Sequence, residues 1–184
     1  MDFNRGWAAA PIKIVFLDFD GVIITPESSF RRIGPLEAAH PKAIEALNYL
    51  LSETGARLVI SSTWREDYSV EELRKLLKGW GVAAEILGTT PLLDQRSEEI
   101  QSWLDECSLP IGAFVILDDM TDMGHLASRL INTDFETGLT MSHAVAARDL
   151  LIAPGDQRSD KEPSWPLLSP RDSTGTPIRS SMVR

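Results

Sequence analysis

Asp18 and Asp20, one residue apart, stand directly after the apolar run Ile12-Lys13-Ile14-Val15-Phe16-Leu17 and directly before Gly21. On an extended backbone, residues i and i+2 project to the same side, so both carboxylates can address one atom or one cation. A second acid pair, Asp118-Asp119, ends the run Ala113-Phe114-Val115-Ile116-Leu117, and the polar stretch Ser61-Ser62-Thr63-Trp64-Arg65 ends Arg57-Leu58-Val59-Ile60. Each cluster is an apolar, β-branched run that empties into polar residues. In open parallel sheets ligands bind beyond the carboxyl ends of the strands, so these three ends belong to one edge. Four carboxylates gathered there repel one another and raise one another's pKa unless a cation neutralises them. Hard oxygen donors select Mg²⁺ over a transition metal, which makes Asp18, Asp20, Asp118 and Asp119 the expected ligands of a magnesium site.

The elements that must position these residues alternate along the chain. Apolar residues recur at helical spacing from Pro41 through Ala43, Ile44, Ala46, Leu47, Leu50 and Leu51, and Gly55 suits a left-handed stop. Ser69 is placed to cap a helix carrying Leu73, Leu76 and Leu77, and Ala84 to Leu87 reads as a short strand. Ser97 reads as the cap of a further helix through Ile100, Trp103 and Leu104, and Leu130 to Thr133 as a last strand before a helix from Ala144 to Leu151. Strands that alternate with helices specify an α/β fold, a central mostly parallel sheet with helices on both faces, because parallel strands need crossover connections.

Composition narrows the function classes. A chain of 184 residues with 43% hydrophobic content supports one buried α/β core rather than two domains. A net charge of −9 argues against a broad nucleic-acid-binding face or adhesion to an anionic membrane. Cys107 is the only cysteine, which excludes an intrachain disulfide and a CxxC site and suits a reducing compartment. Neither a signal-peptide core nor a run of 18 apolar residues is found, so a cytoplasmic location is expected. The expected organisation is an N-terminal extension over 1–11, a catalytic domain over 12–152 and a Pro/Ser-rich, flexible tail over 153–184.

Val15-Phe16-Leu17-Asp18-Phe19-Asp20-Gly21-Val22 resembles the first motif of the haloacid dehalogenase (HAD) superfamily of phosphohydrolases, a hydrophobic strand followed by DxDG. The resemblance implies a Rossmann-like fold and a Mg²⁺-dependent phosphatase in which Asp18 forms an aspartyl-phosphate and Asp20 serves as acid and then base. Leu58-Val59-Ile60-Ser61 resembles the second motif, whose hydroxyl holds phosphoryl oxygens; Ser61 takes that role, with Ser62 beside it. Arg96 sits where the third motif places a basic residue, more often Lys. Phe114 to Asp119 resembles the fourth motif, with Asp118 as metal ligand and Asp119 as second ligand or support. Ser-Ser-Thr-Trp-Arg at 61–65, Leu-Gly-Thr-Thr-Pro at 87–91, Arg-Ser-Glu-Glu-Ile at 96–100 and Thr-Gly-Leu-Thr at 137–140 resemble a small HAD branch that includes domains of RNA-repair proteins.

No long insertion separates the motifs, so the site is minimally capped, covered at most by residues 22–40. An open site suits an accessible phosphoester such as a nucleotide or polynucleotide end, with Trp64 as a stacking surface and Arg65 as an anion clamp. The bland readings are Trp64 packed in the core, Arg65 paired with Glu66 or Asp67, and Arg96 in a surface ion pair with Glu98 or Glu99. Asp122 reads as a helix-start acid, and His40, His125 and His143 as structural. Two other classes compete. Response-regulator receivers are also α/β, bind Mg²⁺ and are phosphorylated on an aspartate, but they place an acid pair after the first strand and a Lys after the last, whereas here the acid pair follows a late strand. A catalytically silent HAD-fold binding or scaffold module is opposed by the intact Asp18 and Asp20.

Overall fold

Five apolar runs form the strands β1 (Ile12–Leu17), β2 (Arg57–Ile60), β3 (Ile86–Thr89), β4 (Ile111–Asp118) and β5 (Leu130–Asn132) in a computed structural model that describes residues 10–30 and 39–152. The tail over 153–184, most of the 1–11 extension and residues 31–38 of the expected cover lie outside the described residues. The strands make one sheet in the order β3-β2-β1-β4-β5, and every pairing is parallel. Their connections carry the helices α1 (Pro26–Phe30), α2 (Pro41–Thr54), α3 (Val70–Gly79) and α4 (Arg96–Glu106), and α5 (Met141–Leu151) follows β5.

Period-2 alternation divides the sheet's side chains between two apolar layers. Val15, Leu17, Leu58, Ile60, Val115 and Leu117 face α2, α3 and α5, meeting Leu47, Leu50, Leu73, Leu77, Ala144 and Ala147. Ile14, Phe16, Val59 and Ile116 face the other way, onto Ile100 of α4 and onto Met123 and Leu126. Each fully buried Leu, Ile or Phe contributes about 1.5–3 kcal/mol. Covered on both faces, the sheet leaves only its ends for polar chemistry.

Local signals fix several helix ends. Gly55 ends α2 at φ 64°, donating its N–H to Leu51 O. Ser69 and Glu72 form a reciprocal capping box at α3, and Thr140 and His143 form another at α5. Two expectations shift. The strand expected at Ala84–Leu87 lies two residues later, at Ile86–Thr89, because pairing with β2 sets it: Val59 aligns with Gly88 and Ile60 with Thr89. Ser97 is not the cap of α4; the helix starts at Arg96, with Gln95 in the cap position and no side-chain cap bond. Two 3-10 turns, Thr63–Glu66 and Gly124–Arg129, are too short to show a sequence period. No helix among the described residues is long and apolar enough to cross a membrane.

Candidate active site

The chain leaves β1 for β2 and β3 on one side and then returns to β4 on the other, so the switch point of the sheet lies between β1 and β4. Leu17 aligns with Leu117 there, which brings the next residues, Asp18 and Asp118, side by side. Beyond the strands one further row of backbone bonds continues across the sheet. Thr90 N–H donates to Ile60 O, Ser61 N–H to Leu17 O, Asp18 N–H to Leu117 O and Thr133 N–H to Asp118 O, each at 3.0 Å. Parity then aims the side chains: Asp18 continues the Ile14–Phe16 face, Ser61 the Val59 face and Asp118 the Ile116 face. All three therefore point toward the layer of α4, whose first residue is Arg96.

Asp18, Asp118 and Asp119 each bring a carboxylate oxygen into a group whose members lie within 4.8 Å of one another. Arg96 enters this group from α4, with Nη2 3.7 Å from Asp18 Oδ2 and Nε 3.3 Å from Asp118 Oδ2. Asp18 Oδ1 accepts from Phe19 N–H at 2.8 Å, and Asp118 Oδ1 from Met120 N–H at 2.9 Å. Burial is the main force on both acids. It raises Asp18 above the ordinary carboxylate range, with Arg96 opposing, and it lifts Asp118 to about 7, helped by the nearby charge of Asp18 and opposed by Arg96. With all three ionised, three carboxylates against one guanidinium would leave two negative charges uncompensated.

Several buried polar atoms at this edge have no hydrogen-bond partner among the described residues: Ser61 Oγ, Thr90 Oγ1, Arg96 Nη1 and Asp118 Oδ2. Leaving such an atom unsatisfied costs roughly 1–3 kcal/mol, so a cluster of them on one sheet edge suits a site completed by a polar ligand. The surroundings are rigid. Gly21 sits at φ 71°, and a Cβ there would lie 2.5 Å from Asp119 Oδ2, so only glycine admits the acid this close. Thr133 Oγ1 donates to Gly21 O at 2.7 Å, Leu139 N–H donates to Val22 O at 2.7 Å, and Asn132 Nδ2 holds the carbonyls of Asp118, Asp119 and Met120.

The remaining candidates take up distinct places. Asp20 stands outside the three-carboxylate group; its Oδ2 accepts from Trp64 Nε1 at 2.8 Å. Trp64 is half-buried, stacked on Tyr68 at 5.5 Å and edge-on to Phe19 and Trp80. Ser62 is buried beside Asp18, where its hydroxyl favours the ionised acid, and it accepts from Trp64 N–H at 3.4 Å. Arg65 turns inward: its guanidinium donates to Ser61 O, Ser62 O and Pro91 O and pairs with Glu99, not with Glu66 or Asp67. Burial pulls its pKa down, against the pull of Glu99. Asp122 is exposed and accepts from Gly124 N–H at the start of a 3-10 turn. His143 serves the α5 cap, His125 meets Gln101, and His40 lies 3.8 Å from Glu27.

Sequence reasoning missed Thr90, Asn132 and Thr133, and it named Glu99 only as a surface ion-pair partner of Arg96. The two do lie 4.0 Å apart on one helix face, but both are buried, and Glu99 also pairs with Arg65. Thr90 follows the strand that was read two residues early. Asn132 and Thr133 act through contacts with backbone distant in the chain, which no local pattern reports.

The donor set consists of carboxylate oxygens, with Asp118 Oδ2 buried and held by an ion pair to Arg96 but by no hydrogen bond, which fits a hard divalent cation held by Asp18, Asp118 and Asp119. Neither characterised proteins nor solved structures yield a match to the chain. The family described as the HAD domain in Swiss Army Knife RNA repair proteins does match, over residues 14–144, a span that holds every residue placed at this edge. At the superfamily level the match supports a phosphatase-type hydrolase, and the parallel sheet and strand-end acids agree with it. The chain belongs to the family of HAD domains found in Swiss Army Knife RNA repair proteins.

Proposed function

We propose that the protein hydrolyses phosphate monoesters through an aspartyl-phosphate formed on Asp18. The observation that carries this reading is the pairing of Asp18 and Asp118 at the sheet's switch point, with Asp119 and Arg96 completing an arrangement two charges short of neutral. Mg²⁺ held by Asp18, Asp118 and Asp119 would supply that charge and draw electrons from the transferring phosphoryl group.

Phe19 N–H and Arg96 orient the Asp18 carboxylate for attack on phosphorus. Arg96 Nη1 and the Ser61 hydroxyl, neither with a hydrogen-bond partner among the described residues, receive the phosphoryl oxygens. Phosphoryl transfer asks for alignment and charge neutralisation, which fixed donors in a rigid, buried edge provide without reorganising. Asp20 gives a proton to the departing alkoxide and later takes one from the water that releases Asp18. The family description names RNA repair proteins, and a nucleotide or polynucleotide end is the substrate class that the minimal cap expected from the sequence favours. With a net charge of −9, such a substrate is held at the site itself rather than along a basic face.

Hydrolysis of 4-nitrophenyl phosphate with and without Mg²⁺, using Asp18→Asn as control, tests the reading. Activity should require the cation and fall at least about 10³-fold in the variant. Equal activity of variant and wild type removes Asp18 as the nucleophile. A panel of mononucleotides, 3′- and 5′-phosphorylated oligonucleotides, sugar phosphates and phosphopeptides then ranks substrates, with exposed polynucleotide ends expected to lead. Inactivity on the whole panel despite bound Mg²⁺ points to a scaffold module.

A further inference from the structure

Resting on the phosphatase reading above, one contact assigns a residue that the four motifs leave without a role. Trp64 Nε1 lies 2.8 Å from Asp20 Oδ2, across 44 residues of chain. An indole N–H donates and never accepts, so at this contact Oδ2 is the acceptor. We propose that Trp64 is a positioning residue for Asp20: its indole N–H fixes the carboxylate's orientation and leaves Oδ1 as the oxygen that carries the transferred proton.

The rest of the indole's surroundings favour a fixed donor. Ser62 ends the extended backbone of β2 and caps the turn that carries Trp64. The ring is stacked on Tyr68 with an interplanar angle of 21°, and Phe19 and Trp80 meet it edge-on at 5.6 and 6.1 Å. Phe19 is itself fully buried between the two aspartates in sequence, so the packing that immobilises the indole also fixes the backbone of the DxD segment. Four rings therefore place one N–H on one carboxylate oxygen. In the first half-reaction Asp18 bonds to phosphorus, the ester P–O bond breaks, and the departing oxygen takes the proton from Asp20 Oδ1. In the second, a water oxygen bonds to phosphorus, the bond to Asp18 breaks, and the water's proton passes to the same Oδ1. A carboxylic acid free to rotate would present either oxygen, and only one geometry reaches the leaving group.

The test uses leaving groups of different need. Trp64→Phe keeps an aromatic ring and removes the N–H. General acid catalysis is worth roughly 10²–10⁴-fold where the leaving group is a poor one, so mispositioning the acid should cost kcat/KM, which reports the steps up to departure of the leaving group, about 10-fold or more on an alkyl phosphate such as glycerol 3-phosphate. On 4-nitrophenyl phosphate, whose leaving group departs without protonation, the loss of kcat/KM should stay below about 3-fold; the second half-reaction is common to both esters and drops out of this ratio. Trp64→Phe added to Asp20→Asn should cost nothing further on the alkyl ester, which keeps the test decisive if the single variant is less stable. Equal losses of kcat/KM on the two esters, no loss on either, or additive effects in the double variant each overturn the assignment. A wild-type protein inactive on both esters and on every ester of the panel above refutes the phosphatase reading and this role with it, whereas an active wild type with equal losses of kcat/KM refutes this role alone.

Discussion

Arg65 and Arg96 both reach Glu99, and their side chains are 3% and 6% exposed, yet their surroundings differ in kind. Arg65 is tightly held, with only its Nε lacking a hydrogen-bond partner among the described residues. Its guanidinium lies 2.6 and 2.7 Å from the carbonyls of Ser61 and Ser62, 3.3 Å from that of Pro91 and 2.5 Å from Glu99 Oε1. Arg96 is loosely held, 3.3 Å from Asp118, 3.7 Å from Asp18 and 4.0 Å from Glu99, with Nη1 unpartnered among the described residues. A buried cation with short bonds to carbonyls ties β2's end to the loop before α4 and serves the fold. A buried cation at longer range from several acids leaves room for an anion and for a second cation, and serves a ligand. Burial alone does not separate the two, and each keeps one nitrogen without a hydrogen-bond partner; the number and shortness of the other contacts do.

The sharpest way to break this contrast is to remove each guanidinium and compare readouts. Arg96→Gln should lower kcat/KM on a phosphate monoester by roughly 10³- to 10⁴-fold, or about 4–5.5 kcal/mol, since it removes the cation facing the transferring group. Its thermal midpoint in Mg²⁺ should change little. Arg65→Gln should do the reverse, leaving Glu99 buried without its short ion pair and three carbonyls without their donor. The expected cost is about 3–5 kcal/mol in urea unfolding, with activity of the folded protein lowered less than about 10-fold. If Arg65→Gln abolishes activity while leaving stability intact, the contrast fails and Arg65 belongs with the ligand-binding groups.

The contrast also shows what the sequence could reveal. The strand-end acids were legible because period-2 alternation and parallel register are local rules: once β1 and β4 pair, Asp18 and Asp118 must adjoin. Gly55, Ser69 and the α2 stripe were legible for the same reason. Arg65 pairs with Glu99, thirty-four positions away rather than with the adjacent Glu66 or Asp67, because the fold brings the β2 end and α4 together. The edge strand β3 was displaced by two residues because Gly88 and Thr89 carry weak strand signals and are recruited by pairing with β2. Ser97 has the better capping chemistry, but α4 begins at Arg96, whose side chain enters the acid group. Positions set by alternation and strand register were legible whether they serve the site or the fold, and positions set by contacts between distant segments were not.

A smaller effect sharpens the contrast from the acid side. Asp118 has no exposed surface and a pKa of about 7, above the ordinary 3.8. Between those values the folded protein keeps a proton that the unfolded chain has released, so stability contributed by this group is present below pH 4 and lost as pH rises toward 7. Asp118→Asn removes the titration while keeping an oxygen for Met120 N–H. In buffer free of divalent cations the variant should therefore be more stable than wild type at pH 8, by on the order of 2 kcal/mol, and the advantage should vanish near pH 4. Excess Mg²⁺ should reverse the order at pH 8, because a cation that binds only the folded wild type adds stability the variant cannot gain in full. Urea unfolding at the two pH values, with EDTA or with Mg²⁺, gives the four numbers needed. A variant less stable than wild type at pH 8 in EDTA would show that Asp118 is held as favourably as the groups around Arg65, and that the acid edge is structural.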